Sequence, residues 1–256
     1  MTNHRYFGRT RQHPSMFAKC VFSIVALTTI STFLLLLQPE VAYAQEYGAQ
    51  VVETGFVFTL GSPQGELAHY LTGSIIGFHA FLGGRRDRTS PVVLGTELGL
   101  ELYGSEQYME FGDGPEYQTP VTVNTYNNIG SGHLFVRLQP ATGFARPYIE
   151  ALAGLKVFFV TTVVSYQNQE YDEPISTTIF LDGAAFSYGA GGGISINLLD
   201  AVAGDNPGNV FFTIGARYLM GAEATYLTPG SVSGPERNQS ETHLLETRFG
   251  IELRFW

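Results

Sequence analysis

From about residue 49 onward, hydrophobic and polar positions alternate with a period of two, in segments separated by clusters of Gly, Pro, Asn, Asp and Ser. The spacing predicts eight strands, near 49–60, 71–83, 92–103, 125–138, 147–164, 185–199, 209–226 and 242–256. In the third, Val92, Leu94, Thr96, Leu98, Leu100 and Leu102 form one face; Val93, Gly95, Glu97, Gly99, Glu101 and Tyr103 form the other. The fifth sets Ile149, Ala151, Ala153, Leu155, Val157 and Phe159 against Tyr148, Glu150, Leu152, Gly154 and Lys156. Amphipathic helical periodicity is hard to find here, and no stretch after residue 44 reaches the roughly 20 apolar residues of a spanning helix.

Charged residues within a strand share a face. Glu97 goes with Glu101, His133 with Arg137, Glu150 with Lys156, and Arg217 with Glu223; Glu246, Arg248, Glu252 and Arg254 agree among themselves. In a soluble barrel or sandwich this face meets water. In a transmembrane barrel it turns inward, because Arg or Lys facing lipid at the midplane costs about 2–4 kcal/mol. Glycine separates the two cases. Gly55, Gly77, Gly95, Gly99, Gly154, Gly215 and Gly250 lie on the charged or histidine face. Glycine weakens a solvent-facing strand, whereas the narrow interior of an eight-stranded barrel needs small residues between large ones. Gly130 and Gly132 dissent, lying opposite in parity to Arg137. The reading is an all-β, eight-stranded, antiparallel up-and-down transmembrane β-barrel. Tyr103, Tyr126, Tyr166, Tyr226 and Trp256, near strand ends, are expected to form interfacial girdles.

The segment before the strands reads as an address. Residues 1–19 carry Arg5, Arg9, Arg11 and Lys19 and no acid; residues 20–37 are an apolar run; Pro39 breaks it; and Ala42-Tyr43-Ala44 precedes Gln45. These are the parts of a cleaved secretory signal peptide over 1–44, with the barrel domain over 45–256. The apolar run is long enough that a retained anchor is the alternative, which the Ala-x-Ala site disfavours. The sole cysteine, Cys20, precedes the apolar run, where a lipoprotein would need it after. Removing 1–44 takes away four of 14 bases and one of 23 acids, so the net charge moves from −9 to −12. That balance argues against nucleic acid as a partner. One cysteine excludes an intramolecular disulfide and a Cys-rich zinc site.

The chain ends Arg248-Phe249-Gly250-Ile251-Glu252-Leu253-Arg254-Phe255-Trp256. Arg248, Gly250, Leu253 and Phe255 resemble the C-terminal assembly signal of outer-membrane barrels, with Trp256 one residue past its usual end. Arg146-Pro147-Tyr148-Ile149-Glu150-Ala151-Leu152-Ala153-Gly154 resembles the turn-to-strand entry of small barrels of the OmpA/OmpX type. The resemblance implies a Gram-negative outer-membrane location and outer-membrane lipid as surroundings. It also implies insertion by the barrel assembly machinery with periplasmic chaperones. Connections at 104–124, 165–184 and 227–241 are long and those at 84–91, 139–146 and 200–208 short; 61–70 is moderate. The long and short sets fall at opposite ends, as an even-stranded barrel of this kind requires.

The candidate interior network is Glu53, Glu97, Glu101, Arg137, Glu150, Lys156, Arg217, Glu223, Glu246, Arg248, Glu252 and Arg254, with His79 and His133 on the same face. Near-balanced charges suit a salt-bridged plug more than a narrow polar path, since eight strands leave an interior that side chains fill. Three functions stay open: a structural or surface-interaction barrel, a porin-like small-solute channel, and a soluble exported barrel holding a hydrophobic ligand. The last predicts the leucine face of strand three turned inward. The long connections carry Glu66, Glu106, Glu110, Asp113, Glu116, Glu170, Asp172, Glu173, Asp182, Glu236 and Glu241 against Arg237 alone, so divalent cations are a candidate partner there. Ser131 and His133 share a face, but no acid is placed to orient the imidazole, and the histidines lack ligand spacing. Gly189-Ala190-Gly191-Gly192-Gly193 is followed by no helix pattern and reads as a close-packed strand. The expectation is a monomer, not an enzyme, with no catalytic or metal residues and no cofactor.

Overall fold

The computed structural model describes residues 51–111, 120–166, 176–198, 210–228 and 236–255. The signal-peptide region, Trp256, Asp113, Glu116, Glu170, Asp172 and Glu173 lie outside these, as do the side chains of Glu110, Tyr166 and Glu236. The elements run β1 (Val51–Pro63), α1 (Leu67–Tyr70), β2 (Ile75–Arg85), β3 (Val92–Phe111), β4 (Pro120–Leu138), β5 (Ala145–Tyr166), β6 (Ser176–Asn197), β7 (Val210–Gly221), β8 (Glu223–Thr228), β9 (Glu236–Glu241) and β10 (Leu244–Phe255). Eight of the strands close into a barrel in the order β1-β10-β7-β6-β5-β4-β3-β2, every pair antiparallel; β8 and β9 pair as a separate hairpin.

Alternation decides which side of the wall each residue occupies. Leu94, Leu98, Leu100, Leu134, Val136, Ile149, Leu155, Phe56, Phe78 and Ile251 point out and are exposed, while the charged face points in and is buried. A patch this extensive on a water-facing monomer would far exceed the few hundred square ångströms such proteins tolerate. It is the lipid-facing surface of a membrane-spanning barrel. The reading of a soluble ligand-binding barrel fails here, since Leu94, Leu98 and Leu100 are 52–59% exposed.

Inward glycines let the wall close around large side chains. A Cβ at Gly154 would meet the Gly132 carbonyl and come within 2.7 Å of the His133 Cα, and one at Gly77 would meet Glu101 Cγ at 2.6 Å. Gly154→Val therefore forces backbone apart rather than a side-chain tip. It is expected to cost about 1–3 kcal/mol or more, read as a lower urea midpoint for loss of the heat-modifiable band. Gly130 and Gly132 do face out; Phe159 and Leu98 from the flanking strands lie 3.5 Å from where their Cβ atoms would be. Neighbours thus shade these two positions.

The observed strands correct the expected ones at one end. β3 to β6 run on to residues 111, 120, 166 and 176, so half of what reads as long connection is strand, and Glu106 and Asp182 sit on strands. These extensions are polar enough (Ser105, Glu106, Gln107; Ser176, Thr177, Thr178) to blur alternation. The expected seventh strand, 209–226, breaks at Ala222. Gly221 faces Thr242 (N–H of Thr242 to its carbonyl, 3.1 Å) and Glu223 faces Glu241, leaving Ala222 as one extra residue. A bulge reverses parity. Glu223 therefore points to solvent rather than into the lumen, and Tyr226 points inward rather than to a girdle. Tyr103 is also inward and buried; Tyr126 is exposed.

At the opposite end the β2–β3 turn is held by Asp87, whose carboxylate accepts from the Thr89 hydroxyl (2.7 Å) and from the Thr89 and Ser90 amides (both 2.8 Å). These bonds, the Thr89 hydroxyl foremost, hold the carboxyl below its ordinary value. The turn's contribution is present at neutral pH and is lost as pH falls through that lowered value.

Candidate functional site: the charged lumen

Every expected interior residue except Glu223 lies inside the barrel and is buried, as do His79 and His133. The described lumen also holds Arg85 and Arg146, which sequence reasoning left in turns. Both share the inward parity of their strands, Arg85 with His79 and Arg146 with Glu150. Extending the alternation by a few residues would have found them. The inward set then has six acids (Glu53, Glu97, Glu101, Glu150, Glu246, Glu252) and seven bases (Arg85, Arg137, Arg146, Lys156, Arg217, Arg248, Arg254).

Glu97 is the hub. Its Oε1 takes Arg217 Nη1 at 2.6 Å and lies 3.1 Å from His79 Nδ1, while its Oε2 pairs with Arg248. Arg217 Nε reaches Glu246 at 2.6 Å, and Arg248 Nη1 reaches Glu150 at 2.9 Å. Glu150 passes the chain to Arg137 (2.9 Å), Arg137 to Glu252 (3.5 Å), and Glu252 to Arg146 (3.6 Å). Nearer the turn end, Glu53 holds Arg85 (2.7 Å) and Arg254 (2.5 Å). Arg85 donates to Gln139 Oε1 (2.8 Å), Gln139 Nε2 to Ser195 Oγ (2.9 Å), and Ser195 to Glu252 (3.4 Å), joining the two parts. One connected network thus touches all eight barrel strands. Aromatic rings bracket its cations: Arg137 lies 4.5 Å from the Tyr148 ring centre and Arg146 3.4 Å from that of Phe211. Cations over ring faces gain from the quadrupole, more so when desolvated.

At the loop end the polar layer stops. His79 Nε2 meets Glu101 at 3.0 Å, and Lys156 donates to the Thr242 carbonyl at 3.4 Å. Above lie Leu67, Leu71, Ile75, Ile129, Phe158, Leu219, Leu244 and Tyr226, an apolar seal to which α1 and β8 contribute. His79, Glu101 and Glu246 bring one donor atom each within 4.8 Å of one another, close enough for a metal ion on distance alone. Lys156 and Arg217 already supply positive charge to these two carboxylates. Ser131 and His133 are buried, and among the described residues the hydroxyl and both ring nitrogens have no hydrogen-bond partner, so no acid there orients the imidazole.

No protein-family profile and no curated protein sequence matches the chain. Among solved structures it is similar in fold to small outer-membrane barrels. Neisserial surface protein A shares 14% identity over 80% of this chain and 97% of that one, with a TM-score of 0.43. The attachment invasion locus protein Ail of Yersinia pestis shares 12% over 80% and 97%, with a TM-score of 0.37. The N-terminal β-barrel domain of Pseudomonas aeruginosa OprF shares 12% over 82% and 100%, with a TM-score of 0.35.

Proposed function

We propose that the chain is an integral outer-membrane barrel whose lumen is a non-conducting plug, and whose role is structural or one of surface interaction rather than catalysis. The observation that carries this reading is the network of ion pairs and hydrogen bonds: it touches every wall strand, β6 through Ser195, and its charged members are 0–6% exposed. A solute path needs charges that face water, whereas these face one another. The strand extensions and the β8–β9 hairpin form the external end, the short turns the periplasmic end. The barrel assembly machinery and periplasmic chaperones deliver the chain, outer-membrane lipid surrounds it as a monomer, and the acidic loop end is where divalent cations would collect.

Planar-bilayer recording tests the plug. Wild-type protein is expected to give no steps above baseline, and Glu97→Ala with Arg217→Ala is expected to give small ones, because both residues sit at the centre of the network. Steps from the wild type would instead favour a small-solute channel. Fractionation with boiled and unboiled gels tests the location: a heat-shifted band in the outer-membrane fraction is expected.

A further inference from the structure

The wall of the barrel is unfinished beside β7. β6 runs eleven residues past its last paired residue on that side, Ser187 opposite Gly221, up to Ser176. Its other edge is paired with β5 all the way to Ser176. On the open edge only the Ala222 amide continues the ladder, donating to the Phe186 carbonyl at 2.8 Å. Residues 176–181 are all exposed, with Ile179, Phe180 and Leu181 at 63, 53 and 42%, and carry no charge and no proline. Natural edge strands are ordinarily guarded by a charge, a proline or a bulge; on this edge the guard is confined to Asp182, an inward-facing acid at a one-residue bulge in the β5–β6 ladder. The other free edge of the extended sheet, the outer part of β3, has Glu106 and Glu110.

The segment that would complete the wall lies close by. Carrying the β6–β7 register past Ala222 sets Glu223–Thr228 against Ala185–Phe180, so β8 matches the open edge in direction and, apart from the bulge at Asp182, in length. In the structure β8 lies instead over the mouth. The Ala222 bulge bends the hairpin inward, with the Thr242 hydroxyl holding the Ala222 carbonyl at 3.0 Å. Tyr226 stacks on Phe158 (ring centres 5.4 Å apart), and Tyr103 donates to the Leu227 carbonyl at 3.0 Å. The Thr225 backbone crosses Gly183, where a Cβ would fall 3.0 Å from its nitrogen. The inner seat thus rests on one buried ring, the hydrogen bond to Tyr103, a glycine notch and Asp182 of β6, whose carboxylate takes Arg237 Nη2 of β9 at 3.4 Å and the Leu227 amide of β8.

We infer that the β8–β9 hairpin is a lid with two seats, pivoting at Ala222: the inner seat over the lumen mouth, and an outer seat in which β8 pairs with the open edge of β6. In the outer seat the wall gains a ladder over Ala185–Phe180, and Phe158 and Tyr103 at the mouth are uncovered. This concerns the position of the lid and stands apart from whether the lumen below conducts.

Spin labels at Gln107→Cys on β3 and Gln239→Cys on β9, with Cys20→Ser, read the seat by electron–electron distance in the full chain folded in detergent micelles. Two distance populations are expected, the longer being the outer seat, which lies on the far side of the extended sheet from β3. Tyr226→Ala removes the inner anchor and is expected to raise the long-to-short ratio about tenfold. Deleting Ala222 removes the bend and is expected to leave the long distance dominant. Ile179→Lys guards the open edge and is expected to deplete the long population. The boiled-against-unboiled shift confirms that each variant is folded. A single distance that none of the folded variants changes overturns the two-seat lid.

Discussion

Replacing Arg217 with Met is expected to destabilise the folded barrel by about 3–5 kcal/mol, the cost of leaving a buried charge without its partner. Arg217 is buried and bonded at 2.6 Å to both Glu97 and Glu246. Methionine fills much of the same volume, so the loss is electrostatic rather than a cavity. The urea midpoint of the heat-modifiable band measures it. Adding Glu97→Gln and Glu246→Gln removes the stranded carboxylates and is expected to recover much of the loss, since a neutral core of similar volume is often as stable as an ion-paired one. An unchanged midpoint in Arg217→Met would mean that water screens the lumen, and the plug would have to be given up.

Leu98→Arg is expected to cost about 2–4 kcal/mol in phospholipid vesicles, the midplane penalty for a cation facing lipid. Leu98 lies mid-strand, opposite Gly132, with its side chain 52% exposed on the outer surface. The same substitution on a water-facing strand would fall within about 0.5 kcal/mol. Gln107→Arg, exposed on the extension of β3, serves as that comparison and is expected to change little. Equal effects at the two positions would remove the apolar belt from lipid.

Those two substitutions probe what was legible in the sequence. The wall was readable because it obeys one rule, side chains alternating through a pleated sheet between an apolar exterior and a narrow polar interior. The rule placed Glu97, Glu150, Arg217 and Arg248 inside from parity alone. It stopped short at Arg85 and Arg146, where turn-forming neighbours such as Gly83, Gly84 and Pro147 look like the end of a strand. It misplaced Glu223 and Tyr226 because a single-residue bulge leaves no mark in composition: Ala222 is unremarkable as a residue, and only the pairing of its neighbours shows it to be the extra one. Nor does parity name partners. That Glu97 answers to Arg217 and Arg248, 120 and 151 positions away, follows from ring closure and from nothing local.

The distribution of that network along the chain bears on how the protein is made. β10 brings Glu246, Arg248, Glu252 and Arg254, so Glu97 and Glu53 each await a counter-charge from the last strand. Arg217 and Arg137 wait likewise for Glu246 and Glu252. Until that strand joins both β1 and β7, each half-built wall carries charges that hydrocarbon rejects. The closing strand adds two acids and two bases, so it leaves the net charge of the interior unchanged and supplies partners instead: a chain cut short before it would strand one side of the pairs made by Glu53, Glu97, Arg137 and Arg217.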